Sequence, residues 1–377
     1  MSKLSDFITD QFWRILFGQK KGITGHRKGN TGALSWEIGY GRLDIIGNGE
    51  MPDYSPSMSN DIIFSNAPWY KYLQRYSLSL IHSGVTSIGS GAFAGWKDLV
   101  FAGIPNSVTR IGSNAFSGCC NLTSIIQIPD FTYTPPIQIP NSVMILIDYA
   151  WATVLGIKKQ IPNSIQNCIQ IPNTVTTIDD YAFAYCSGLT SVIIPESVTS
   201  IKQGTFYRCY ALKSVTIPNS IKSIGVGAFY QCENLASVFI PDSVTQIEEG
   251  AFYKCERLTT VVIPNSVISI GKRAFYGNNS LASVTIPDSV TSIGELAFGV
   301  SLDFIVNSPK DIPAPILGDV NGHGSLIEII NNAMTPQKIE STVFMGVNRS
   351  KCILRVPAEA KDAYRTAEGW KDFVNIE

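Results

Sequence analysis

The chain has 377 residues, of which 45% are apolar and 16% charged, with a formal net charge of −1. So neutral a composition, without a basic stripe, argues against nucleic acid as a partner. No apolar run approaches the length of a membrane span, and no transmembrane segment is expected.

Residues 1–28 read as an amphipathic segment followed by a basic linker. Leu4, Phe7, Ile8, Phe12, Ile15 and Leu16 fall at helical spacing, with Asp6 and Asp10 in the same stretch. Lys20, Lys21, Arg27 and Lys28 follow. No long apolar run follows a basic start, so the segment does not read as a signal peptide. Residues 1–20 have three readings: a helix docked on the chain or on a partner, an interfacial helix in peripheral membrane contact, or a misplaced start that hides an export signal. Residues 29–84 read as an N-terminal cap. Leu34 to Ile46 alternates around a glycine-bearing turn, which predicts a hairpin covering the first rung, because open sheet edges recruit other chains.

Residues 85–307 are repeats. Pro172, Pro195, Pro218, Pro241, Pro264 and Pro287 stand 23 residues apart, and Phe183, Phe206, Phe229, Phe252, Phe275 and Phe298 keep the same step. Pro105 with Phe116, and Val85–Val100 with Phe93, are earlier copies. A fixed period of this length means stacked supersecondary units rather than one globular core. The predicted fold is a β-rich solenoid of stacked ~23-residue repeats, with parallel strands on one face. Short extended pieces and 3₁₀ or helical turns form the other, and both ends are capped. In Leu189–Ile194 the strand reading turns Leu189, Val192 and Ile194 inward and Thr190, Ser191 and Ile193 outward. The Gly-x-x-Ala-Phe-x-x-Cys run is too short for a full helix and reads as a single turn that drops Phe into the core.

The middle copies are irregular. Trp151 lies 11 residues after Pro140, the distance at which other copies place phenylalanine, so it is predicted to take that slot. Residues 129–139 and 162–171 read as half-repeats, where bulges or small loops are expected. Drift of an idle copy and a dedicated binding loop are both open for them. Cys119, Cys186, Cys209, Cys232 and Cys255 share one slot, a packing position for a small buried thiol. No Cys-x-x-Cys or histidine partner suggests a metal. Residues 308–350 read as an irregular insertion with a last degenerate repeat. Asp319–Ser325 resembles the start of a calcium loop, but Ile330 stands where the twelfth-position carboxylate belongs. Residues 351–377 read as a C-terminal cap, with Trp370 packed on the last rung.

No catalytic motif is present, and His26, His82 and His323 are far apart in a stacked chain. No enzyme activity, metal or cofactor is expected. Two columns are candidate binding residues. Ile193, Thr216, Phe239, Val262 and Thr285 form an outward column on the strand face, beside Ser191, Ser214, Ser237, Thr260 and Ser283. Tyr207, Tyr230, Tyr253 and Tyr276 each follow a core phenylalanine. They either present a binding surface or stack on one another and seal the rung edges.

The unit Ile-Pro-Asn-Ser-Val-Thr-Ser-Ile-Gly…Ala-Phe…Cys…Leu-Thr-Ser-Val resembles the BspA-type, or Treponema pallidum-type, leucine-rich repeat, across about Val85–Asn307. Trp36, Gly47 to Tyr54 and Ala67-Pro68-Trp69-Tyr70 resemble the lead-in of such proteins. Cys352–Pro357 with Tyr364 and Gly369-Trp370-Lys371 resembles their ending. The resemblance implies a leucine-rich-repeat solenoid, and a surface or secreted protein that binds host proteins or other cells, often as an adhesin. The alternative is an intracellular scaffold for protein–protein interaction, in keeping with the absence of a clear export signal. Either way the expected partner is a protein.

Overall fold

Each repeat becomes one rung with three hydrogen-bonded walls. In the computed structural model the described residues are 27–39, 42–59, 62–73, 76–128, 168–300 and 326–377. The amphipathic face of residues 4–16, the half-repeat 129–139, Trp151, residues 162–167 of the second half-repeat and the Asp319–Ser325 loop lie outside them. A rung is named below by its core phenylalanine.

The first wall is the Leu-x-Ser-Val-x-Ile run, which folds as short parallel strands. Ser191–Ile193, Ser214–Thr216, Ser237–Phe239, Thr260–Val262 and Ser283–Ile286 follow one another. Their register repeats the sequence period, with Ser191 opposite Ser214, Phe239 opposite Val262 and Val262 opposite Thr285. Proline ends each strand where no ladder donor is needed. The second wall is made of two-residue parallel strands, Ser200–Ile201 to Ser292–Ile293. In the third wall, alternate amides reach the next rung: Phe206 N donates to Ala228 O at 2.9 Å, and Phe229 N to Ala251 O at 2.8 Å. The amides between them close turns on their own rung, as Tyr230 N does to Gly227 O at 3.0 Å. Backbone groups are thereby paired around the whole rung, which burial demands. The third wall needs two left-handed residues per rung, for example Gly227 at φ +57° and Gln231 at φ +55°.

The core is a column of stacked rings. Neighbouring phenylalanines from Phe93 to Phe298 lie 5.2–5.7 Å apart. Leu189, Val192 and Ile194 are buried while Ile193 is exposed, as the strand alternation requires. The recurring cysteines are buried too. Each thiol donates to the carbonyl of the preceding rung's phenylalanine: Cys209 Sγ to Phe183 O at 3.2 Å, Cys232 Sγ to Phe206 O and Cys255 Sγ to Phe229 O at 3.3 Å. Burial pushes these thiols well above their ordinary pKa, so they are inert packing groups. Tryptophans close the column. Trp69 lies 6.2 Å from Phe93 and donates through Nε1 to Ala92 O at 2.9 Å. Trp370 lies 5.3 Å from Phe344 and donates to Gln337 O at 2.9 Å. At the first end, Arg27–Thr31, Leu34–Gly39 and Arg42–Gly47 pair antiparallel before parallel stacking begins at Leu78–Ile81.

Two long excursions interrupt the repeats in different ways. Phe298 stacks on Phe344 at 5.7 Å, and Ser283–Ile286 pairs with Glu328–Asn331, so a regular rung resumes at residue 326. Phe116 stacks directly on Phe183 at 5.5 Å and 1°. Arg110–Ile111 likewise pairs with Thr177–Ile178, and Phe116 N donates to Ala182 O at 2.8 Å. The phenylalanine slot predicted for Trp151 therefore does not exist between these rungs. Each ring has one neighbour on either side at stacking distance, and Phe183 already fills that place on the C-terminal side of Phe116. On the strand wall alone, Ser124–Ile128 pairs with Phe101–Pro105 and lies against Cys168–Gln170. Among the described residues that wall holds one strand more than the other two, Cys168–Gln170, which has no ring of its own.

Candidate binding surfaces

The predicted strand-face column is continuous in space. Ile193 faces Thr216 across one ladder, and Phe239, Val262 and Thr285 follow across the next. Phe239 is 66% and Val262 61% exposed, and Ile193 is 38% exposed. An exposed phenylalanine beside an exposed valine has no structural need, because the core is complete beneath them. The serine column beside them also exists, with Ser214 Oγ donating to Ser191 Oγ at 3.0 Å. The two columns carry no charged side chain.

At the first rungs the same face is different. Leu78 and Phe101 stand opposite each other in the column that Ser191 and Ser214 occupy later, so they point away from the core. Yet Leu78 is 4% and Phe101 2% exposed. They form a small cluster of their own with Leu80. Beside them, Asp44 accepts from Arg42 Nε at 2.7 Å and pairs with His82 Nε2 at 2.8 Å. Those contacts, chiefly the Arg42 charge, hold its carboxyl below the usual range despite burial.

The tyrosine column stacks on itself. Tyr207 and Tyr230 lie 4.6 Å apart, Tyr230 and Tyr253 4.4 Å, and Tyr253 and Tyr276 5.2 Å, with rings within 19° of parallel. Ring faces are used by neighbouring rings, and what remains for a partner is the line of ring edges. Burial pushes the phenols of Tyr207 and Tyr253 up to about 12. Arg208 lies 5.5 Å above Tyr207 and Lys254 5.8 Å from Tyr253. A shallow groove of about 250 Å³ runs along the column, with Tyr181, Glu249 and Arg273 in its lining. The sequence reading missed these three. They recur two or three residues ahead of the ring, a column visible once the phenylalanines are aligned.

The same wall is covered at its first rungs by the hairpin of Ser57–Ser59 and Ile62–Phe64. A Cβ on Gly95 would stand 1.9 Å from Ile63 O, and one on Gly118 would meet Ile63 Cδ1 at 3.2 Å. The cover ends at Tyr185, whose hydroxyl approaches Met58 Sδ at 4.0 Å.

The repeat geometry has a match among known families. The model of the BspA type leucine-rich repeat region matches residues 69–137, 161–265 and 245–305, in six copies. The chain belongs to this family. Its leucine-rich repeats are the rungs described above, and the first match begins at Trp69, where the ring column starts. No curated protein matches the chain. Solved structures similar to it include a T. pallidum leucine-rich repeat protein, at 23% identity over 65% of this chain and 85% of that one, with a TM-score of 0.38. A leucine-rich cell surface protein of Faecalibacterium prausnitzii is 20% identical over 93% and 94% of the two chains, with a TM-score of 0.39. The pneumococcal vaccine antigen PcpA is 13% identical over 94% and 99%, with a TM-score of 0.36. Among the described residues of this leucine-rich repeat protein, no cluster of His, Cys, Asp or Glu could hold a metal ion. No helix among them is long and apolar enough to cross a membrane.

Proposed function

We propose that this chain is a non-catalytic adhesion protein that binds host or cell-surface proteins through its strand face, and that it acts at the cell surface or after secretion. Leucine-rich repeat solenoids are protein-interaction folds, whose stacked repeats present extended binding surfaces. The observation that carries the reading is the exposed pair Phe239 and Val262 on a face of uncharged columns. Side chains of this kind, ringed by hydroxyls, suit the apolar centre and polar rim of a protein interface. Ile193, Thr216 and Thr285 extend the contact, and the tyrosine edges are a second candidate surface.

The test has two parts. The purified chain is laid on host epithelial cells and on a panel of matrix proteins, beside a Phe239→Ser/Val262→Ser variant and a variant with serine at all four column tyrosines. Binding lost in the first variant and kept in the second supports the strand face; binding unchanged in both removes the proposal. Protease treatment of intact source cells, followed with an antibody to the repeats, tests location. Cleavage supports display at the surface. Full protection in a soluble fraction favours the intracellular scaffold.

A further inference from the structure

The position two residues before the core ring is left-handed in every described rung from Phe93 to Phe298. Asn114, Tyr181, Arg273 and Leu296 stand there at φ of +55° to +60°, so the backbone does not by itself demand glycine. The consecutive rungs of Phe206, Phe229 and Phe252 nevertheless carry Gly204, Gly227 and Gly250. The ring of Tyr181 lies on Gly204. At Gly227 and Gly250 a Cβ would meet only tyrosine carbons, none nearer than 3.6 Å. These two glycines are the floor of the groove beside the tyrosine column, with exposed Val226 next to them and Tyr181 and Arg273 at the ends.

The molecule itself shows what such a floor accepts. Gly91 holds the same position in the Phe93 rung. There the chain leads from Tyr54 into the hairpin that covers this wall, and Pro56 is seated on the glycine: a Cβ on Gly91 would stand 2.9 Å from Pro56 Cδ. The groove at Gly227 and Gly250 continues that wall past Tyr185, where the cover ends.

We propose that this groove binds a proline-rich segment of a partner protein in the polyproline II conformation. The period selects that occupant. A polyproline II helix turns once in about 9.3 Å, against about 9.6 Å for two rungs. A ligand lying along the column therefore offers equivalent groups to Tyr207 and Tyr253. An extended strand repeats every ~6.7 Å and falls out of step with one rung and with two. Proline rings also need a floor free of side chains, as Pro56 has on Gly91. The helix has no internal hydrogen bonds, so its carbonyls are open to tyrosine hydroxyls as donors. Grooves lined with aromatic side chains are the general seat of such helices. Tyr181 and Arg273 stand four rungs apart, roughly 19 Å, which gives room for about five residues. The site is on a different wall from Phe239 and Val262, so it stands or falls apart from the strand-face reading.

The test uses the full chain and a fluorescein-labelled decaproline peptide, read by fluorescence anisotropy, with an alternating Gly-Ser peptide of equal length as control. Decaproline should bind saturably and at least about tenfold tighter than the control. A Gly227→Asn/Gly250→Asn variant refills the floor with the residue that the Phe116 rung carries there as Asn114, one that accepts left-handed backbone. It should weaken decaproline binding at least about tenfold with the β-sheet spectrum unchanged, and Phe239→Ser/Val262→Ser should leave binding as it was. The proposal is overturned by the absence of saturable binding, by equal binding of the two peptides, or by binding that survives the two asparagines. Loss in the strand-face variant also overturns it and moves the peptide to that wall. Gly227→Asn alone repeats the measurement if the double variant does not fold.

Discussion

The wall that follows the core ring is built in two ways along one molecule. At the Phe93 and Phe116 rungs the next two residues are Ala94-Gly95 and Ser117-Gly118. At the Phe206, Phe229 and Phe252 rungs they are Tyr207-Arg208, Tyr230-Gln231 and Tyr253-Lys254. The backbone is the same in both. Gly95 and Gly118 have φ of +73° and +75°, and Arg208, Gln231 and Lys254 have +58°, +55° and +51°. Only the side chains differ, and they decide what seals the wall. Small residues admit the hairpin that carries Ile63; large ones seal the wall by stacking. Arg208, Gln231 and Lys254 accept a strained left-handed backbone, a cost glycine would avoid. Among the described residues no other segment crosses those rungs, so the large side chains have room.

Four experiments press on this contrast. The largest effect should come from what the two regions share. Phe116→Ala and Phe229→Ala should each cost about 3–5 kcal/mol in chemical denaturation, because each ring stacks between two others. A cost confined to one of them would mean that the column is not common to both regions. Next, Gly95→Gln gives the covered region the residue of the open one. It adds left-handed strain and a collision with Ile63 O, together about 2–4 kcal/mol. The converse Gln231→Gly should stabilise by up to about 1 kcal/mol. Equal and opposite effects would show that the hairpin exerts no constraint. Third, Tyr230→Ala removes two stacked pairs and should cost about 1–3 kcal/mol, whereas Ser117→Ala, on the covered side, should leave the melting temperature nearly unchanged. The smallest effect is in alkali. Tyr207 and Tyr253 hold their protons to about pH 12, against an ordinary 10.0. The folded state binds those protons more tightly than the unfolded one. The stability this lends is full below pH 10 and is lost as pH rises toward 12. Phenolate absorbance should therefore show at least two late-titrating tyrosines, which become ordinary when Tyr230 is replaced by alanine.

Much of the fold could be read from the residues, because each column depends on one local property. Inward Leu189, Val192 and Ile194 and the buried phenylalanines and cysteines follow from period and alternation alone. Phe344 could have been found too. It lies two repeat lengths after Phe298, with Val343 in the alanine slot. The direct stacking of Phe116 on Phe183 was not legible from spacing, because a proline-to-aromatic distance does not say which ring the aromatic meets. The extra strand Cys168–Gln170 was hidden because the period treats all three walls alike. For the surfaces, outward-facing strand residues were legible, including exposed Phe239 and Val262. The burial of Leu78 and Phe101 was not, since the same outward column is open at later rungs. The tyrosine stack left two readings in the sequence. Ring separations of 4.4–5.2 Å show that the tyrosines meet each other first.

The rung-to-rung bonds also bear on the gene. Each rung from Phe183 to Phe252 offers its neighbours the same donors and acceptors, down to the cysteine thiol and the phenylalanine carbonyl it meets. A duplicated or deleted whole repeat in that region would join two surfaces already complementary, leaving no backbone group unmatched. Recombination between copies in the coding sequence would then yield foldable proteins of different lengths. The seam at Phe116 and Phe183, where one wall counts differently from the other two, has no such freedom. Variation in length should accumulate on its C-terminal side.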